Sequence, residues 1–246
     1  MSMFGLGLRA LLFRSRTIAL ALLPLVVGAI CAALAFSAQQ SDLERVYPRL
    51  GADLFVSQLV ALVALVLGVN AFDDERDSGT LPLLLATSTP RWRIVGAKLV
   101  AAWVATVLIS LPGLVGCALL GSQAGLSTGE VWGSLFGALL LSAAGYVAVF
   151  VLLSLLTARS LLIGLGYVVV WEGSFATYVK SLRNLSIGSF GRRLIGSLYP
   201  DKGIPFKVAD VGVTGAVVVL VAVSAVAAVL AVRRLPHVDA TASGAG

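Results

Sequence analysis

Glu172 is the one acid set deep within an apolar run. It lies twelve residues into the stretch 161–179. A carboxylate in an apolar medium costs several kcal/mol unless it is paired, hydrogen-bonded or protonated. Three kinds of chemistry follow: a structural ion pair or helix-break contact, a part in passing a substrate, or proton coupling. The first is favoured, because proton-coupled machines carry more than one such group. Arg183 and Lys180 are the candidate cationic partners, reached if the chain folds back after Gly173 and Ser174. The rest of the chemical inventory is thin. His237 is the sole histidine, which argues against a histidine-based metal site. Cys31 and Cys117 lie in apolar runs and read as small packing residues. There is no G-x-x-x-x-G-K-[ST], no H-E-x-x-H, no G-x-S-x-G and no Cys–His nucleophile pair. No catalytic residue, cofactor site or metal site is therefore expected in this chain.

The elements that must position Glu172 follow from composition. The chain has 246 residues, of which 59% are apolar and 12% charged. Soluble domains average roughly 45–50% apolar and about 25% charged. Mean hydropathy is +0.99. A soluble fold of this length cannot hide so much apolar surface, and disorder has the opposite signature. An all-α polytopic membrane protein is expected, forming a single transmembrane domain over 1–246. A spanning helix needs about 20 mostly apolar residues. Six runs qualify: 17–38, 54–72, 94–120, 131–156, 161–179 and 208–232. The first is too long for a cleavable signal peptide, and no small-x-small cleavage site is followed by a soluble domain. Pro24 and Pro112 fall inside spans, where kinks are tolerated.

The net charge of +6 comes from cations flanking these runs, which suits topology and anionic lipid head groups. Basic–aromatic patches are lacking, so no nucleic acid partner is expected. Counted over loops, Lys and Arg give ten against eight in favour of cytoplasmic termini. The amino-terminal half gives seven against two, and early spans usually dominate orientation. Both termini are placed in the cytoplasm, in a multi-pass protein of the cell membrane. Trp132, Tyr199 and Phe206 fall near one boundary and Trp92 near the other, as in an aromatic belt. Glu130 reads as a helix start capped by Ser127 or Thr128. Gly133 and Gly137 form a small-xxx-small pair of the kind that packs helices in membranes.

The loop over 73–93 is the most informative connection. Acidic residues lead, an apolar run follows at Leu81, Leu83, Leu84 and Leu85, and Pro90, Arg91 and Arg93 close it. The run is too short to span. It suits a short amphipathic helix on the membrane surface or in a partner's groove, with Pro82 in its first turn.

The run Glu75-Arg76-Asp77-Ser78-Gly79-Thr80-Leu81 to Leu85, with Arg91 and Lys98 beyond it, resembles the signature of ABC type-2 exporter permeases. These are the membrane subunits of ATP-binding-cassette exporters. Pro82 stands where that pattern has an acidic residue, and Pro90 falls about two positions late. Val170-Trp171-Glu172-Gly173 and Leu185-Ser186-Ile187 are similar to a second element of the family. The resemblance implies six spans, with 76–89 as a coupling helix on a P-loop ATPase subunit. Glu75, Arg76, Asp77, Gly79, Thr80, Leu81, Leu84, Leu85, Arg91 and Lys98 would carry that coupling. It implies a second permease copy or a homologue, an interfacial helix over 1–16, and short re-entrant helices within 180–207. ATP and Mg would be bound by the partner ATPase and none by this chain. Lys98 lies one turn inside the third span and would snorkel, or pair with Glu75 or Asp77. Membrane lipids are further expected partners, with the basic residues of 180–207 at head-group level. The alternatives are a stand-alone secondary transporter or channel using Glu172, and a membrane assembly subunit that transports nothing.

Overall fold

A helix satisfies its own backbone hydrogen bonds, which a bilayer requires of any single spanning segment. The long Leu-, Val- and Ala-rich runs take that form. The computed structural model describes residues 15–77, 90–157, 159–175, 183–199 and 204–235, and these are all-helical with connecting turns. In chain order the elements are α1 (Ser15–Ser37), α2 (Gln40–Tyr47) and α3 (Val60–Asp77), with the wide π-type turns of Pro48–Leu59 joining α2 to α3. Then come α4 (Arg91–Gln123), α5 (Thr128–Leu156) and α6 (Ser160–Gly166), which continues in wide turns over Tyr167–Phe175. The last are α7 (Ile187–Ile195), ending in the 3-10 turn Gly196–Leu198, and α8 (Val213–Arg234).

Five helices among the described residues are long and apolar enough to cross a membrane: Leu20–Ser37, Gln40–Phe72, Arg91–Gln123, Thr128–Leu156 and Val213–Arg234. Ser160–Ser174 is apolar and shorter. The expected run 161–179 is thus described over its first part, and 176–182 lie outside the described residues. The expected interfacial helix over 1–16 lies outside them almost entirely, as do Gly79, Thr80, Leu81, Leu84 and Leu85.

One boundary differs from the sequence expectation by more than three turns. The second run, expected from residue 54, belongs to a helical path that begins at Gln40. Arg45, Arg49 and Asp53 lower the hydropathy there, yet Leu43, Tyr47, Ala52 and Phe55 turn inward and are buried. Pro48 stands at the first position of the wide-turn segment, where a missing N–H is least costly. A smaller difference concerns α5. Ser127 holds its N-cap position but makes no side-chain cap bond.

Glycines set the closest helix contacts. A Cβ on Gly28 of α1 would come within 2.7 Å of the Pro112 carbonyl carbon of α4. A Cβ on Gly116 would come within 2.5 Å of the Gly28 Cα. The two backbones therefore touch, as small residues allow in membranes. Cys31 and Cys117 sit at the same contact, both buried, with their Sγ atoms 3.6 Å apart. Towards one end of the bundle, Tyr47 fills the space beside Gly121, whose added Cβ would meet its ring at 2.6 Å. Towards the other end, Lys98 of α4 reaches α3. Trp103 ties α4 to α5, its Nε1 donating to the Leu140 carbonyl at 3.0 Å.

Candidate functional site

Glu172 sits in the wide turns after α6 and is buried. Neutral donors from two elements are among its partners. The Ser186 hydroxyl donates to Oε2 at 2.5 Å, and the Tyr167 hydroxyl donates to Oε1 at 3.1 Å. The Gly188 N–H also donates to Oε1, at 3.3 Å. Ser186 is the N-cap of α7 and accepts the Ser189 N–H at 3.0 Å. The carboxylate thus lies at the first turn of α7, where free N–H groups and the helix dipole favour negative charge. Glycine makes this approach possible. A Cβ on Gly188 would lie 2.8 Å from Glu172 Oε2 and 2.8 Å from Ser57 Oγ.

The network continues along α7. Arg192 is one helical turn on and is 2% exposed. Its Nη2 donates to Ser189 Oγ at 2.9 Å and its Nη1 to Asp53 Oδ1 at 3.3 Å. Asp53 belongs to the wide turns between α2 and α3. Its side chain is 44% exposed. Gly191 brings α7 against α5, since a Cβ there would press on Ser142 Oγ and stand 2.6 Å from Val56 Cγ1. Tyr146 of α5 donates its hydroxyl to the Ser57 carbonyl at 3.4 Å. Two wide-turn segments, one spanning helix and one short helix therefore converge on a buried polar cluster. Wide turns of this kind recur at functional sites.

Arg183 faces the segment before α8, where its Nη1 donates to the Val208 carbonyl at 3.5 Å. Arg193 Nε donates to the Val211 carbonyl at 2.7 Å. The Asn184 side chain accepts the Asp210 N–H at 2.9 Å. Arg183 and Arg193 thus serve as straps to backbone carbonyls.

At the opposite end, Lys98 Nζ donates to the Ala71 carbonyl and lies 4.6 Å from the Phe72 ring centroid. This joins the first turns of α4 to the last turns of α3, the helix that carries Glu75, Arg76 and Asp77 in its final turn. Arg91, Trp92 and Arg93 are exposed at the start of α4, with the Arg93 guanidinium 5.2 Å from the Trp92 ring centroid. Arg91 and Lys98 therefore flank the point where the chain returns from the 78–89 connection.

Residues 10–187 match the family described as ABC-2 family transporter protein. The chain belongs to the ABC-2 transporter family. Among curated proteins no sequence matches it. It is an ABC transporter permease and a multi-pass membrane protein, and the resemblance read from Glu75 to Lys98 falls within the matched region.

The sequence reading of this ABC-2 permease missed Asp53, Ser189 and Arg192 as members of the Glu172 cluster. Arg192 was one of several basic residues assigned to the head-group region. A usable signal was present. Ser186 and Ser189 precede Arg192 at three-residue spacing, which places all three on one face of a helix. Asp53 carried no comparable signal, because it fell just outside the hydropathy window of its span.

Proposed function

We propose that two copies of this chain, or this chain and a homologue, form the substrate pathway of an exporter. A separate P-loop ATPase binds ATP and Mg, hydrolyses the nucleotide and supplies the energy. Closure of that ATPase pushes a coupling helix over 76–89, and the spans rock to expose the pathway alternately on the two faces. The family match over 10–187 carries this reading. The Lys98 contact supports it, because it fastens α4 to the end of α3 beside the proposed lever. Both termini would lie in the cytoplasm and α7 would be a re-entrant helix. Glu172 acts as a positioning residue that holds α7, since its oxygens receive Ser186, Tyr167 and Gly188.

The test is gentle extraction of the tagged chain from its native membrane, followed by identification of what co-purifies. A P-loop ATPase at equal stoichiometry is the expected result. A chain that emerges alone across several mild detergents would overturn the coupling.

A further inference from the structure

α4 and α8 both rest on α5 and leave a gap between them. Trp103 holds α4 there through the Leu140 carbonyl. On the α8 side, a Cβ on Gly145 would lie 3.8 Å from Leu220 Cδ2. The gap is a cavity of about 440 Å³. Val100 and Trp103 of α4 and Val221 and Ala228 of α8 wall it, over Ala144 and Ala148 of α5. The three alanines stop at Cβ, which leaves the space unfilled. Val100 and Val221 on its rim are exposed, so it opens outward to lipid. The polar side-chain groups on its wall are already spent. Ser224 donates its hydroxyl to the Leu220 carbonyl at 2.7 Å, and Trp103 Nε1 donates to Leu140. A polar solute or a peptide backbone would lose its hydrogen bonds there, whereas an alkyl chain has none to lose.

One face of α4 carries this slot to the membrane surface. Trp92, Gly96, Leu99 and Trp103 fall three to four residues apart, which puts them on one side of the helix. A Cβ on Gly96 would meet nothing within 4 Å, so the strip is open. From Trp92 to Trp103 is roughly 16 Å of helix, about half of a ~30 Å hydrocarbon core and so the depth of one leaflet. At the surface end Trp92 is exposed, and the Arg93 guanidinium lies 5.2 Å from its ring centroid. Arg93 is exposed too and forms no ion pair among the described residues. Lys98 reaches the other way, to Ala71 and Phe72 of α3, so the acidic last turn of α3 lies on the far side of α4. The slot therefore has an open cation at its mouth and an apolar channel beneath it.

We propose that this slot holds one acyl chain of an anionic phospholipid, with the phosphate at Arg93 and Trp92 at head-group level. The chain fills the space between α4 and α8 that no side chain reaches. It thereby completes the packing of α4, the helix that Lys98 fastens to α3. The ligand is a lipid of the bilayer rather than a transported substrate, so the site stands apart from the exporter reading.

The experiment is native mass spectrometry of the purified full chain, titrated in mild detergent with phosphatidylglycerol and, in parallel, with phosphatidylcholine. Phosphatidylglycerol should bind about fivefold more tightly, the gain that one interfacial cation gives. Arg93→Gln should remove that preference, and Arg45→Gln at the opposite end should keep it. Ala144→Leu with Ala228→Leu fills the slot and should weaken both lipids about tenfold, through lost chain contacts. Ala33→Leu with Ala222→Leu, at exposed positions outside the slot, should leave both bound as before. Equal affinity for the two lipids, or a preference that survives Arg93→Gln, would overturn the site. So would a filled slot that matters no more than the exposed pair. Glycerol 3-phosphate displacing phosphatidylglycerol at equal concentration would leave a free anion as the ligand and overturn the lipid. A filled slot that breaks a dimer and spares lipid binding would make this face a contact between copies, and would overturn it as well. The Arg93 arm decides the matter even where the filled variant fails to fold. None of these readouts involves an ATPase, so failure here and failure of the exporter reading are distinguishable.

Discussion

The Ser186 hydroxyl donates to Glu172 Oε2 at 2.5 Å while it accepts the Ser189 N–H at 3.0 Å. One side chain therefore closes the first turn of α7 and fastens that turn to the segment after α6. Ser186→Ala should cost about 1–2 kcal/mol, the usual loss for an N-cap together with a hydrogen bond to a charged group. Ser186→Thr should recover most of it. Glu172→Gln combined with Ser186→Ala should cost less than the two single losses added, because both act on one network. Thermal unfolding of the detergent-solubilised chain measures all three.

Asp53 and Arg192 share a bond but not an environment. Arg192 is 2% exposed and Asp53 is 44% exposed. Removing the acid leaves a buried cation without its counter-charge, while removing the cation leaves an acid that water can reach. Asp53→Asn should therefore destabilise by about 3 kcal/mol and Arg192→Met by about 1 kcal/mol. The order is the prediction. A larger loss for Arg192→Met would show that the bond to Ser189 outweighs the ion pair.

Gly191 has no room for a side chain. Gly191→Val should push α7 away from Ser142 and Val56 and cost about 1–3 kcal/mol, the range for overpacking. Gly133→Ala is the control, since a Cβ there meets nothing within 4 Å. It should not lower the melting temperature, since Ala is the better helix former where nothing clashes.

Cys31 and Cys117 report the α1–α4 contact. Their Sγ atoms are 3.6 Å apart, and a disulfide needs about 2.0 Å. A membrane-permeant thiol oxidant should join them with only a small adjustment, seen as protection from maleimide labelling after denaturation. Gly28→Leu should abolish this protection by forcing the two backbones apart at Pro112 and Gly116.

Gly79→Pro and Leu84→Asp should leave the amount of permease in the membrane unchanged and uncouple ATP use from transport. The measure is ATPase turnover against export in a reconstituted complex. Unchanged coupling in both variants would remove the 76–89 connection from the drive train.

The helical class and the long apolar elements were legible because lipid demands long apolar stretches, and that demand is written directly into composition. The start of the second helix was not. A hydropathy window weighs Arg45, Arg49 and Asp53 as loop residues, although their helix buries Leu43, Tyr47 and Phe55 on its opposite side. Glu172 was legible as a site because a lone acid among apolar residues must find partners. Their identity was not. The sequence offered Arg183 or Lys180; Arg183 donates to the Val208 carbonyl, Lys180 lies outside the described residues, and hydroxyls and a backbone N–H are among the partners of Glu172. Electrostatics alone picks a cation for a carboxylate. The first turn of a short helix offers an equivalent arrangement, and its position cannot be read before the chain is folded.

Asp53 and Arg192 are separated by 139 positions. At about 5–20 residues per second of synthesis, the guanidinium is made roughly 7 to 28 seconds after its carboxylate. Through that interval Asp53 is unpartnered by Arg192, and α4, α5 and α6 are made before the guanidinium arrives. The latch on Glu172 has the same order, since Ser186 and Gly188 follow the acid they bind. The short helix is thus a late step of biogenesis, followed by α8. Substitutions in it should spare insertion of the earlier spans and show themselves late, as full-length chains that reach the membrane and are then cleared by quality-control proteases.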